Sequence, residues 1–376
     1  MLLNNRGHVK RNIRVLIVDD SGFTREVLSS ILSSDDEILV VGEAANGREA
    51  VKKVRTLSPD VVTMDIEMPI MNGIEAIEKI MSTTPVPIMA VTSLDDVNTA
   101  YMAISKGALD VFLKPGFDEQ SSKSFIQKLK LLSRYRLIGK DNGLVIPKTA
   151  ISVIKLPIGT PGALEVHEAH EAHEALEALD ISKLYQDSCR KIIAIASSTG
   201  GPKALAHILP YFPQSFPYPV VIAQHISDGF VSGMVEWLKT ICKIDIKVAE
   251  NGEYLKPSTV YVNPSEWNMI VTSGKSIELQ ARQSNNIYHP SCNVLLTSAA
   301  DAFRQNTLGI ILSGMGKDGV DGMKKIKESG GTTIAQDETT SVVFGMNKAA
   351  IDEGTIDKVL PASAIGKEIL SVIKLI

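Results

Sequence analysis

A chain of 376 residues is longer than one ordinary hydrophobic core organises, so two domains are expected. Hydrophobic residues make up 44% and charged residues 22%, the balance of a soluble globular protein, and 39 basic against 43 acidic side chains leave a net charge of -4 with no basic stripe. That distribution argues against nucleic acid as a partner. The three cysteines, Cys189, Cys242 and Cys292, are far apart and form no Cys-x-x-Cys pair, which excludes a disulfide framework or a structural zinc site and suits a reducing cytosol. Residues 1–12 are polar and basic without an apolar core, and no later apolar run approaches the length of a membrane span, so a cytoplasmic location without membrane insertion is expected.

The first strand is Arg14-Val-Leu-Ile-Val-Asp-Asp20, an apolar run ending in two carboxylates. Strand patterns at 38–43, 61–65, 87–93 and 110–114 then alternate with helical patterns that start near Gly22, Gly47, Asn72, Asp95 and Ser121. Such alternation predicts a doubly wound (βα)5 domain over residues 12–137, with its reactive groups beyond the carboxyl ends of the strands. Asp19, Asp20, Asp65, Thr92 and Lys114 all fall at those ends. Converging carboxylates repel one another unless a hard cation offsets them, and Mg²⁺, octahedral and content with a few carboxylates and waters, is the expected ion.

Taken one at a time, Asp19 and Asp20 read equally well as helix caps and Lys114 as a surface lysine. Taken together, the acidic pair, the aspartate ending the third strand, the hydroxyl ending the fourth and the Lys-Pro ending the fifth resemble a response-regulator receiver domain. Asp65-Ile-Glu-Met-Pro-Ile-Met-Asn-Gly73 is similar to the phosphorylation segment of that family. The resemblance implies Asp65 as phosphoacceptor, Asp19 and Asp20 with Asp65 as Mg²⁺ ligands, Lys114 as partner of the phosphoryl group, Thr92 as its sensor, and a histidine kinase as phosphodonor. A carboxylate attacks phosphorus only where metal and ammonium offset the incoming charge, so the roles suit the chemistry.

From 138 to 189 the periodicity fades, Pro147, Pro157 and Pro161 appear, and three His-Glu-Ala triplets run from His167 to Ala175. A three-residue repeat drifts around a helix of 3.6 residues per turn, so His167, His170 and His173 form no clean stripe. An acidic low-complexity linker is the reading, ahead of metal capture by the histidines.

The second domain, 190–376, opens on Lys191-Ile-Ile-Ala-Ile-Ala-Ser-Ser-Thr-Gly-Gly-Pro-Lys203, a buried strand that breaks into small residues and restarts as a helix at Pro202. A serine on a strand-to-helix turn lies beside the free N–H groups of a helix start, where a nucleophile and an oxyanion site can coexist, although Ser-Ser-Thr-Gly-Gly also suits a phosphate loop. The strict Gly-x-Ser-x-Gly elbow is absent, since Ala196 stands where its first glycine would precede Ser198. Pro219-Val-Val-Ile-Ala-Gln-His225 is a second strand, ending on a histidine. Short apolar runs over 245–280, broken by Asn251-Gly252, Asn263-Pro264 and Ser273-Gly274, read as an inserted antiparallel hairpin region, and a helix follows over 294–303. Then Leu308-Gly-Ile-Ile-Leu-Ser-Gly-Met-Gly-Lys-Asp-Gly-Val-Asp-Gly322 is a strand emptying into a glycine-rich loop around Asp318, with no Lys-Ser or Lys-Thr of a P-loop. Serine, histidine and aspartate thus end three strands of a doubly wound, mainly parallel α/β domain in chain order, a known permutation of the hydrolase triad.

Ser197-Ser-Thr-Gly-Gly201, Gln224-His225, Pro290-Ser291, Gly314-Met-Gly-Lys-Asp-Gly319 and Gln336-Asp337 with Ser341-Val-Val-Phe-Gly-Met346 resemble the catalytic domain of the chemotaxis protein-glutamate methylesterase (CheB) family. The resemblance implies Ser198 as nucleophile, His225 as general base and then acid, Asp318 as the carboxylate orienting His225, and amides near Thr199 and Met315 as oxyanion hole. It implies hydrolysis of glutamate γ-methyl esters on the cytoplasmic bundle of chemoreceptors, with receptor glutamines as further substrates and no cofactor for the esterase step. The chain departs from the family at Tyr288-His-Pro-Ser-Cys-Asn293, where members often read His-Arg-Pro-Ser-Val-Asp, and at Gly345-Met-Asn347, where they read Gly-Met-Pro; these loops are expected to shape the substrate groove. A thiol hydrolase using Cys292 and His289 is disfavoured by the lack of an oxyanion site. The alternative from another class is a non-catalytic response regulator whose second domain is a phosphorylation-dependent binding module. A transcription factor is disfavoured by the acidic charge and the lack of a helix-turn-helix pattern.

Overall fold

The structure, a computed structural model, describes residues 11–93, 97–116, 118–135, 189–281 and 289–373. The linker expected over 138–189 lies outside them except for Cys189, as does Tyr288.

In the first domain β1 (Ile13–Val18), β2 (Ile38–Ala44), β3 (Val61–Asp65), β4 (Ile88–Thr92) and β5 (Asp110–Leu113) form one parallel sheet in the order β2-β1-β3-β4-β5. Central strands of such a sheet are covered on both faces, which is why β3 and β4 are buried at every position instead of alternating. The covering helices are α1 (Gly22–Ser33), α2 (Gly47–Leu57), α3 (Gly73–Thr83), α4 (Val97–Ser105) and α5 (Glu119–Leu132). Ser21, Asn46, Asn72 and Asp118 cap α1, α2, α3 and α5, each side chain accepting a backbone N–H of the first turn. The chain runs from β1 outward to β2 and then back to β3, so the direction of winding reverses between β1 and β3, whose ends carry the aspartates.

The second domain is built on seven strands: β6 (Ile192–Ser197), β7 (Val220–Gln224), β8 (Asp245–Val248), β9 (Thr259–Val262), β12 (Thr307–Ile311), β13 (Thr332–Gln336) and β14 (Lys358–Leu360). All pairings among them are parallel, in the order β14-β13-β12-β6-β7-β9-β8. The hairpin region is narrower than the sequence suggested. Among the described strands, β10 (Trp267–Val271) and β11 (Ile277–Ala281) pair antiparallel, with one further antiparallel bridge between Tyr254 and Ser276, whereas β8 and β9 complete the parallel edge. Short apolar runs carry no mark of direction, so an edge strand and a hairpin arm look alike before pairing is known. Six helices, α6 (Gly201–Ile208), α7 (Val231–Ile241), α8 (Cys292–Phe303), α9 (Val320–Glu328), α10 (Met346–Asp352) and α11 (Ala362–Val372), cover the sheet. Winding reverses here between β6 and β12, which places a crevice beyond their carboxyl ends.

The two domains pack together through α4 on α7, where the rings of Tyr101 and Trp237 stack at 5.9 Å between centroids. Both side chains are buried, at 2% and 6% exposure, within one continuous apolar cluster that includes Ile104 and Met234. Val342 of the second domain also joins the apolar cluster of Phe112 and Phe125 in the first.

Candidate functional sites

The first site lies at the ends of β1, β3, β4 and β5. Ligand atoms of Asp19, Asp20 and Asp65 fall within 4.8 Å of one another. Lys114 reaches across from β5, its Nζ 2.9 Å from Asp19 Oδ2 and 3.0 Å from Asp65 Oδ2. Burial, followed by the charge of Asp19, pushes the Asp65 carboxyl up to about 6, against the lowering pull of Lys114. Burial works against the Lys114 ammonium, but its two aspartate partners outweigh this and raise its pKa. Thr92 Oγ1, at the end of β4, is fully buried and has no hydrogen-bond partner among the described residues. An orphaned buried hydroxyl beside a carboxylate pushed toward neutrality marks a place where an anion and a cation are still to be added. The donor set is all oxygen with one ammonium, which fits Mg²⁺. Asp20 is exposed, leaving the metal position open to water.

In the second site each residue is set by its strand. β6 and β7 pair with Ser197 opposite Gln224, so Ser198 and His225 are the next pair out, and His225 N–H donates to Ser197 O at 2.9 Å. Gln224 holds this turn from within: its Nε2 donates to the carbonyls of Ser198 and His225, both at 2.8 Å, while its Oε1 accepts from Ser197 Oγ at 2.6 Å. Ser197 is therefore committed to structure, which leaves Ser198, 8% exposed, as the available hydroxyl. From β12, Ser313 O accepts the Ser198 N–H at 3.0 Å, and Gly314 lies so close that a Cβ there would stand 2.6 Å from Ser198 Cβ. Gly200, at φ +81°, turns the chain into α6. Among the described residues, the N–H groups of Thr199 and Met315 have no intramolecular acceptor.

Asp318 is held at 2.8 Å from His225 Nε2. Its carboxylate sits on the start of α8, accepting from Cys292 N at 2.6 Å, Asn293 N at 3.0 Å and Ser291 Oγ at 3.3 Å. Burial alone would raise this acid, but His225 and the two helix-start amides outweigh it and hold the carboxyl below its usual range. A nearby carboxylate, Asp321 in the first turn of α9, accepts from Asn293 Nδ2 instead.

Three residues that the sequence marked as departures in groove-shaping loops, Asn293, Cys292 and Asn347, turn inward instead. Asn293 Oδ1 accepts from Gly319 N and Gly322 N at 2.9 and 3.0 Å and so ties α8 to the Asp318 loop. Cys292 places its Sγ 3.4 Å from His225 Nε2, not against His289. Its thiol is completely buried and pushed well above its usual pKa by burial and by Asp318, so it is no ready nucleophile. Asn347 is fully buried and donates to Gln336 O at 2.9 Å and Ser341 Oγ at 2.7 Å, so that departure braces the 336–341 loop from inside and exposes nothing to a substrate. Such side-chain ties join residues remote in sequence and leave no periodic trace.

A largely buried group of serine, histidine and aspartate at a sheet switch point, joined to an acidic pocket of receiver type, defines a response regulator fused to a hydrolase of doubly wound α/β architecture. Comparison with known proteins agrees on both halves: residues 15–125 match the family model "Response regulator receiver domain" and residues 193–369 match "CheB methylesterase". The chain is 44% identical over 361 residues to a protein-glutamate methylesterase/protein-glutamine glutaminase of Paramagnetospirillum magneticum, covering 96% of each chain. It is 38% identical over 371 residues to the corresponding Thermotoga maritima protein, covering 96% of this chain and 99% of that one. The crystal structure of the T. maritima CheB methylesterase catalytic domain aligns with 48% of this chain and 98% of its own at 40% identity and a TM-score of 0.47. The chain belongs to the chemotaxis protein-glutamate methylesterase/protein-glutamine glutaminase family, as a CheB-type enzyme with a receiver domain.

Proposed function

We propose that Ser198, His225 and Asp318 are the catalytic triad of a phosphorylation-gated esterase that hydrolyses glutamate γ-methyl esters on chemoreceptor cytoplasmic domains. The observation that carries this reading is the 2.8 Å contact between His225 Nε2 and an Asp318 fixed by the start of α8, beside a Ser198 placed next to His225 by strand register. With Nε2 engaged by Asp318, Nδ1 is the nitrogen that takes the Ser198 proton as Oγ attacks the ester carbonyl. The unpaired amides of Thr199 and Met315 then receive the oxyanion. Methanol leaves with the proton from His225, and water attacks the acyl-enzyme under the same base to release the glutamate carboxylate; a receptor glutamine would release ammonia instead. Asp318 transfers no proton; it holds the tautomer and stabilises the imidazolium.

Asp65 is the phosphoacceptor, supplied by a histidine kinase, with Asp19, Asp20 and Asp65 as the residues that would hold Mg²⁺, Lys114 pairing with the phosphoryl group and Thr92 sensing it. Bound Mg²⁺ would offset the charge of the incoming phosphoryl group. The working domains are 12–137 and 190–376, joined by the 138–189 linker. Among the described residues no helix is long and apolar enough to cross a membrane, which suits work in the cytoplasm on the inner ends of receptors. Gating follows from the packing. What supports it is that the receiver is docked through α4 on α7, the helix that follows His225, and that Ser198, His225 and Asp318 have little exposed surface in this arrangement. Phosphorylation loosens this contact. The test is methanol release from a methylated receptor fragment, with and without a small phosphodonor and Mg²⁺. Ser198→Ala should lower the rate by several powers of ten while leaving Asp65 phosphorylation intact, and substantial residual turnover would remove Ser198 from the mechanism.

A further inference from the structure

Cys292 stands beside His225 and Asp318, and the three together form a set of candidate metal donors. His225 Nε2, Asp318 Oδ2 and Cys292 Sγ lie within 4.8 Å of one another, with Nε2 2.8 Å from Oδ2 and 3.4 Å from Sγ. Tetrahedral Zn²⁺, with bonds of about 2.0–2.3 Å, needs N···O near 3.3 Å and N···S near 3.6 Å, so the cluster matches after about 0.5 Å of opening between His225 and Asp318. A purely packing role would ask of Cys292 only that it fill its place in the apolar cluster with Leu296 and Ala196. Its sulfur instead faces the imidazole nitrogen, with Ala223 O and Ser197 O as weak acceptors at 3.6 and 4.0 Å.

We propose that Cys292, His225 and Asp318 form an inhibitory site for a borderline-soft divalent cation of the zinc class. Binding replaces the thiol proton, which leaves to solvent; sulfur, nitrogen and carboxylate oxygen bind the ion, water fills the fourth position, and no electrons move. Coordination at Nε2 detaches Asp318 from the imidazole and confines the remaining ring proton to Nδ1, the nitrogen that must accept from Ser198, so the bound enzyme has no base. Mg²⁺ does not compete, because a hard cation avoids thiolate and imidazole. The site would let the same cell regulate the esterase by two ions, one at each domain.

This regulation rests on the triad reading above, but the metal site is readable without activity. The full-length protein, with Mg²⁺ present to occupy the acidic pocket, is titrated with Co²⁺. A cobalt–thiolate charge-transfer band should grow to one ion per chain, fall when Zn²⁺ is added, be lost in Cys292→Val and Cys292→Ala, and persist in Cys189→Ala and Cys242→Ala. Histidines of the 138–189 linker give no such band, since they offer no thiolate. In the methanol-release assay, with each protein referred to its own metal-free rate, Zn²⁺ should inhibit reversibly by chelator, and Cys292→Val should raise the half-inhibiting concentration at least about tenfold. Absence of the band, its survival in both Cys292 variants, or equal Zn²⁺ sensitivity of wild type and Cys292→Val would overturn the proposal. If Ser198 proved not to be the nucleophile, the spectroscopic titration would still decide the site.

Discussion

Asp65 shows how a residue can be tuned for chemistry at the expense of stability. Its carboxyl is raised from 3.8 to about 6 by burial and by Asp19, so it contributes stability only below its unfolded pKa and loses it as pH rises through about 6. A tenfold change in proton affinity corresponds to about 1.4 kcal/mol, so at neutral pH the metal-free receiver should be weaker by roughly 2–3 kcal/mol than it would be with a neutral side chain. Asp65→Asn should therefore raise the receiver's melting temperature at pH 7.5 without metal, show little advantage at pH 4, and lose part of its advantage when Mg²⁺ is added. Equal melting of both proteins at pH 7.5 would refute the strain. Asp318 is the opposite case, a buried acid held low by His225 and helix-start amides. Asp318→Asn should cost less than Ser198→Ala, leaving slow but measurable methanol release, because the imidazole keeps its place but loses its tautomer control. Full activity in Asp318→Asn would move the carboxylate role elsewhere, with Asp321 the nearest candidate.

Among the elements, α3 is seated directly on Asp65, the proposed phosphoacceptor. Gly73 N–H donates to Ile66 O at 2.8 Å, and a Cβ on Gly73 would stand 1.9 Å from Asp65 O. Nothing soft can yield there, since the obstacle is backbone. Gly73→Ala should therefore push α3 off β3, destabilise the receiver by about 1–3 kcal/mol and weaken binding of a phosphoryl analogue such as beryllofluoride, while the hydrolase transition in a melting curve stays put. An unchanged affinity for the analogue would show that the helix start adjusts without moving Asp65. The same kind of close approach governs the hydrolase turn, where Gly314 leaves room for Ser198. These contacts explain why glycine clusters pointed to the sites in advance: backbone that must pass within van der Waals distance of a functional side chain tolerates no Cβ.

For the whole molecule, the described parts of the two domains meet where α4 packs on α7, so control is expected to run through that surface. A stacked aromatic pair contributes about 0.5–1.5 kcal/mol beyond its buried area, so Tyr101→Ala should raise the basal, unphosphorylated esterase rate about two- to tenfold and reduce the further gain from phosphodonor. Removal of residues 1–135 should raise it further. A second domain no faster than the intact unphosphorylated protein would mean that the receiver activates by recruitment and not by release. The buried Tyr101–Trp237 pair and the reach of Val342 into the Phe112 cluster had no sequence signal, because each residue alone reads as ordinary core of its own domain.

The alternation of buried runs with capped helices determined two parallel sheets, and a parallel sheet of this class concentrates reactive groups at its carboxyl edge. Asp19, Asp65, Thr92, Ser198, His225 and Asp318 could therefore be placed at a strand end or in the loop beyond it from the sequence, whereas the roles proposed for them came from the resemblance to the receiver and methylesterase families. What the linear pattern could not carry was pairing partner and direction. It left β8 and β9 in a hairpin, the sulfur of Cys292 with no assigned partner, and Asn347 in a substrate loop. Those were settled by contacts between residues tens of positions apart, Cys292 with His225 and Asn293 with Gly319 and Gly322, whose energies depend on how layers meet and not on any local period.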